Sequence, residues 1–158
     1  MKCRSQRWEY YAIEGEHMKC LIAEDDFAAR KLLRMYLSDY GQCDVVVNGK
    51  EAVEAFRNAF EGKEPYELVC LDIMMPCMDG HQALTAIRHI ERERGIGGRD
   101  GVKVIMTTAL HDSKNVMGAF REGCEAYIVK PIKKQELLEE IYELGLTPSI
   151  ASQVHCDR

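Results

Sequence analysis

Leu68-Val69-Cys70-Leu71-Asp72 is a run of four apolar residues that ends on a carboxylate. Three other segments share this design. Leu21-Ile22-Ala23 ends on Glu24-Asp25-Asp26, Val104-Ile105-Met106 on Thr107-Thr108, and Tyr127-Ile128-Val129 on Lys130-Pro131. Apolar runs of this length, followed by helix-like segments, read as buried parallel strands. In an open parallel sheet the carboxyl ends of the strands line the ligand crevice. Three carboxylates, a hydroxyl and an ammonium are therefore expected at one sheet edge.

The segments between these runs complete an alternating pattern from Lys19 onward. Strand one is expected over 19–24 and a helix over 27–39, with Ala29, Leu32, Leu33, Tyr36 and Leu37 on one face. Gly41 is expected to stop that helix, as a C-terminal glycine does. Strand two spans 43–47, and Asn48-Gly49 turns the chain into a helix over 50–61. Strand three covers 66–72, and the loop Met74-Met75-Pro76-Cys77-Met78-Asp79-Gly80 leads to a helix ending near Arg94. Strand four is 102–107, a helix follows at 113–122, strand five is 126–129, and the last helix is 133–143, striped by Leu137, Leu138, Ile141 and Leu144. Five strand–helix units in succession predict an α/β fold with a parallel sheet covered on both sides. The glycine-rich stretch Gly95–Gly101 follows a helix and precedes a strand. A phosphate cradle at a helix N-terminus needs the reverse order, so this stretch reads as a surface turn.

Residues 1–17 break the pattern. They mix Lys2, Arg4 and Arg7 with Glu9, Glu14 and Glu16, and carry Trp8, Tyr10 and Tyr11. They are expected to form a flexible N-terminal extension, residues 18–145 one domain, and 146–158 a C-terminal tail. At 158 residues the chain suits a single core. A net charge of -5 with scattered Lys and Arg argues against nucleic acid as a partner. No stretch approaches the roughly 18 apolar residues of a membrane span, and no signal-peptide core is evident. Seven irregularly spaced cysteines do not suggest a disulfide framework, so a reduced, cytoplasmic setting is expected.

Glu24, Asp25 and Asp72 carry the chemistry. Two like charges about 4 Å apart repel by roughly 4 kcal/mol at an effective dielectric of about 20. Three carboxylates at one edge therefore call for a counter-charge. Mg²⁺ suits such a site, because it takes few carboxylates, several waters and a phosphate oxygen. Lys130 adds a fixed cation, and Thr108 a hydroxyl that can donate to an oxyanion. The set fits phosphoryl transfer, with Asp72 as nucleophile. Helix capping alone would account for Asp26 and in part for Asp25, but not for Glu24 and Asp72 at the ends of two buried runs.

The four segments in this order resemble the receiver domain of two-component response regulators over about residues 18–145. That resemblance implies a flavodoxin-like, doubly wound five-stranded parallel sheet of order 2-1-3-4-5 with five helices. It implies Asp72 as phosphoacceptor, Asp25 as direct and Glu24 as water-mediated Mg²⁺ ligand, and the carbonyl of Met74 as a further ligand. Thr108 matches the switch hydroxyl, Tyr127 the aromatic switch, and Lys130 the phosphate-contacting lysine, with a cis bond to Pro131. The implied function is a phosphorylation switch rather than an enzyme acting on other molecules. A sensor histidine kinase or phosphotransfer protein would load Asp72, and the surface of helix four, strand five and helix five would then recruit a protein target or a second copy. A stand-alone receiver or phosphorelay intermediate is expected.

Two positions depart from the family pattern. Cys77 stands where Gly is common, so the loop should be less free in φ, and the Gly95–Gly101 connection is long. Met74 and Leu110 flank the expected path of hydrolytic water, and both are apolar, which implies slow self-dephosphorylation. Among rivals, a haloacid-dehalogenase-type phosphatase needs an acid where Met74 stands. A flavin module needs a phosphate loop after strand one. A phosphorylation-independent, degenerate receiver usually lacks part of the acidic set, which is complete here.

Overall fold

The structure, a computed structural model, describes residues 18–109 and 113–146. The expected N-terminal extension, most of the tail, and Leu110 fall outside them. The elements run β1 (Met18–Ala23), α1 (Phe27–Leu37), β2 (Gly41–Val46), α2 (Gly49–Glu61), β3 (Leu68–Asp72), α3 (Gly80–Glu93), β4 (Lys103–Thr108), α4 (Ser113–Glu122), β5 (Ala126–Val129) and α5 (Lys134–Glu143). A short 3₁₀ turn, Gly98–Asp100, sits in the glycine-rich connection. All strand pairs are parallel, in the order β2-β1-β3-β4-β5.

The continuous apolar runs have a simple cause: both sheet faces are covered. Leu21, Ala23, Val69, Leu71, Val104 and Met106 pack with Phe56 of α2 and with Leu84 and Ile87 of α3. Their sequence neighbours Cys20, Ile22, Leu68, Cys70 and Ile105 pack on the other face with Leu33 and Leu37 of α1 and with Leu137 and Ile141 of α5. Successive strand residues point to opposite faces, so burial on both sides removes the polar alternation. Each fully buried Leu, Ile or Phe contributes roughly 1.5–3 kcal/mol.

Helix starts follow local capping. The Asp26 side chain accepts from the Ala29 N–H at 2.7 Å, the capping role expected for it. Asn48 accepts from Glu51 N–H at 2.8 Å. Asp79 and Gln82 form a reciprocal capping box at the head of α3.

Gly41 has a different role from the one its position suggests. The α1 C-cap is Ser38, and Gly41 opens β2 opposite Met18. A Cβ on Gly41 would lie 1.8 Å from the Met18 carbonyl oxygen. Close approach of two strands, not helix termination, requires glycine there. Cys77 also departs from expectation. It adopts the left-handed conformation at φ 67 that glycine favours, so the loop keeps its shape at a conformational cost.

At the sheet end remote from Thr108, a polar network holds the long connection. Arg88 donates to the Val102 and Gly123 carbonyls and pairs with Glu91 and Glu125. Glu91 is buried and accepts from Val102 N–H at 2.6 Å. Nothing in the local pattern around Arg88 announces this network.

Candidate functional site

Glu24 and Asp25 follow β1, and Asp72 ends β3, the adjacent strand in the sheet. Oxygens from all three carboxylates lie within 4.8 Å of one another. Glu24 and Asp72 are buried, whereas Asp25 is exposed. The fold thus brings together the three acids that the strand ends predict. Lys130, following β5, reaches back across β4. Its Nζ lies 2.6 Å from Glu24 Oε2 and 3.3 Å from Asp72 Oδ2. The Lys130–Pro131 peptide bond is cis.

Burial pushes the Asp72 carboxyl up to about 6, the neighbouring Glu24 charge adds to this, and Lys130 opposes it. Burial acts to lower the Lys130 ammonium, but its bond to Glu24 and the charge of Asp72 outweigh that effect and hold it above the ordinary lysine range. The site is a compact acidic cluster with one ammonium against several carboxylates. That electrostatic deficit, at oxygen ligands of this type, fits a hard divalent cation.

Thr108 is fully buried at the end of β4, and its carbonyl accepts from the Lys130 N–H at 2.6 Å. Thr107 is the register partner of Asp72, and its carbonyl accepts from Ile73 N–H at 3.0 Å. Tyr127 is half-buried and packs against the core layer that holds Met106 and Leu84. The Met74 side chain is exposed.

Several supports of the site are not evident in the strand-end pattern. Arg30 on α1 donates through Nη1 to the carbonyls of Glu24 at 2.8 Å and Asp25 at 3.2 Å. The only sequence signal is a basic residue one turn into the helix that follows the acids. Gly80 lets α3 start against the end of β3, since a Cβ there would lie 2.4 Å from the Asp72 carbonyl oxygen. Gly49 brings the head of α2 onto the same loop, donating its N–H to the Met78 carbonyl at 3.1 Å.

The family model for the response regulator receiver domain matches residues 20–142. The chain belongs to this family. Among curated relatives, hybrid signal transduction histidine kinase B of Dictyostelium discoideum is 34% identical over 134 residues, covering 81% of this chain and 7% of its own length. The probable transcriptional regulator ycf29 of Porphyra purpurea is 32% identical over 134 residues, covering 84% of this chain and 59% of its own. The chain thus spans from under a tenth to somewhat over half of these relatives. Two solved structures resemble this receiver domain. CheY of Borrelia burgdorferi, in a complex with CheX, BeF3 and Mg²⁺, has a TM-score of 0.71 at 26% identity, covering 85% of this chain and 94% of that one. The complex of the Saccharomyces cerevisiae phosphotransfer protein Ypd1 with the Ssk1 receiver domain gives a chain with a TM-score of 0.71 at 25% identity, covering 89% and 94%. The flavodoxin-like reading of the sheet is borne out by these likenesses and by the strand order itself. The receiver is thus a domain of two-component signalling. Among the described residues, no helix is long and apolar enough to cross a membrane.

Proposed function

We propose that this receiver is a phosphorylation switch with Asp72 as acceptor. The observation that carries the reading is the position of Asp72, buried among Glu24, Asp25 and Lys130 at one sheet edge. A carboxylate oxygen of Asp72 attacks the phosphorus of a phosphohistidine in line. The P–N bond breaks, the pair stays on the imidazole, and an acyl phosphate forms. Glu24, Asp25, Asp72 and the Met74 carbonyl would hold Mg²⁺, which when bound supplies positive charge to the phosphoryl oxygens. Lys130 is already shared between two carboxylates, and can turn its ammonium from Glu24 to the incoming group.

A phosphoryl group brings about -1.5 to -2 charge. Thr108 donates to the new oxyanion and vacates space, and the half-buried Tyr127 follows inward. The surface of α4, β5 and α5 then repacks for a partner that binds only that form. The donor is a histidine kinase or a phosphotransfer protein. Support for the second comes from the yeast relative, whose receiver is bound to a phosphotransfer protein.

The test is incubation with Mg²⁺ and acetyl phosphate, followed by intact mass. The expected result is one added phosphoryl group, lost in Asp72→Asn and without Mg²⁺. No uptake, or equal uptake by the variant, sinks the reading and leaves a phosphorylation-independent interaction domain.

A further inference from the structure

The α1/α5 face of the sheet holds a thiol pair that the acidic crevice does not use. Cys20 of β1 and Cys43 of β2 are direct register partners. Adjacent strands lie roughly 4.8 Å apart, inside the roughly 4.4–6.8 Å span of Cα atoms that a disulfide bridges. Both side chains pack in the same core layer, beside Leu33 and Leu37, so they project to the same face. Cys20 is buried and Cys43 half-buried. Each thiol perturbs the protonation of the other, and Cys43 donates to the Gly41 carbonyl at 3.9 Å. Cys70 is not equivalent, because its partner on β1 is Ile22. Among the described residues β2 is an edge strand that pairs with β1 alone, so it can move toward β1 without disturbing a second strand.

The two thiols differ in reactivity. The neighbouring Cys20 thiol and the charge of Arg34 hold Cys43 below the ordinary thiol range, although burial opposes this. The neighbouring Cys43 thiol and burial push Cys20 upward, keeping it protonated. A partly exposed, acidified thiol with a protonated thiol beside it is the arrangement of a redox-responsive pair.

We propose that Cys43 and Cys20 form a peroxide-responsive dithiol, with Cys43 as the attacking and Cys20 as the resolving thiol. The Cys43 thiolate attacks one oxygen of a hydroperoxide, the O–O bond breaks, and the second oxygen leaves as hydroxide or alkoxide. Cys43 becomes a sulfenic acid. The Cys20 sulfur then attacks the Cys43 sulfur, the S–O bond breaks, and the Cys20 proton leaves with that oxygen as water. Two thiols are oxidised to one disulfide and one peroxide is reduced. The new bond ties the edge strand to β1, four residues before Glu24.

The experiment starts from the reduced full chain. Hydrogen peroxide is added in increments, free thiols are alkylated, and the protein is digested with trypsin without reductant. Trypsin separates 20–30 from 35–50, so the predicted bond joins two distinct peptides that dithiothreitol releases. In Cys20→Ser the reaction is expected to stop at a Cys43 sulfenic acid trapped by dimedone. The native chain alone decides the matter if that variant does not fold. The proposal is overturned if peroxide modifies exposed Cys77 while Cys43 stays alkylatable. It is equally overturned if Cys43 is oxidised without linking to Cys20, or if the link is intermolecular.

Discussion

Lys130 Nζ sits 2.6 Å from Glu24 Oε2, joining the residues that follow the first and last strands of the sheet. Glu24 is fully buried, and this ammonium is its counter-charge. Removing one partner of a buried pair strands the other, at a cost of about 3–5 kcal/mol. Lys130 keeps some solvent contact, so Lys130→Ala should lower metal-free stability by about 2–3 kcal/mol in urea denaturation. Added Mg²⁺ should restore part of the loss. An unchanged midpoint would mean that the pair carries no net interaction.

Asp72 titrates near 6 when folded, against 3.8 for its ordinary value, chiefly through burial. A raised carboxyl favours the folded state below the unfolded value, and this advantage is lost as pH rises through the folded one. At pH 7 the ionised Asp72 is therefore a liability. Asp72→Asn should stabilise the metal-free protein by roughly 2–3 kcal/mol at pH 7. The gain should fade between about pH 6 and 4. Thermal melts of both proteins across that window test the sign.

Gly41 faces backbone, not a movable side chain. Its substituted Cβ would lie 1.8 Å from the Met18 carbonyl oxygen. Gly41→Ala must push β2 away from β1, and should cost about 3 kcal/mol or more, the upper end of overpacking effects. Amide exchange should show the loss concentrated on the β1–β2 pairs.

Cys77 occupies φ 67, and its side chain is exposed. An L residue in this region pays about 1–2 kcal/mol, while glycine adds about 0.4–1 kcal/mol of unfolded-state entropy. Cys77→Gly should therefore stabilise the protein by up to about 1 kcal/mol. Phosphate uptake should be retained.

The exposed Met74 cannot orient water. Met74→Asn should shorten the lifetime of phosphorylated Asp72 by about tenfold, equivalent to roughly 1.4 kcal/mol of barrier. Loss of phosphoryl mass with time measures it, and an unchanged lifetime counts against a water path at this position.

Local pattern was sufficient for the strand ends. Burial on both sheet faces makes each strand a continuous apolar run, so its first polar residue marks the crevice. Glu24, Asp72 and Lys130 were legible for that reason, whereas Asp25 and Thr108 stand one residue further on. Asp26 was equally legible as a cap, because its bond to Ala29 spans only three residues. Helix ends were less so. The pattern carried α1 to residue 39, while the helix stops at Leu37, since a fraying last turn leaves no periodic mark.

Tertiary structure alone settled what depends on register and on distant pairing. Gly41 reads as a helix stop in sequence, but the steric demand comes from Met18, which lies 23 residues earlier and is brought opposite it by strand pairing. Arg30 looks like a solvated helix residue until its guanidinium meets the carbonyls of Glu24 and Asp25. The sharing of Lys130 between Glu24 and Asp72 likewise needs β5, β3 and β1 at their places in one sheet. Hydrophobic periodicity records which way a side chain faces. It does not record which residue of another strand lies within bonding distance, and that distance is what turns the predicted groups into a site.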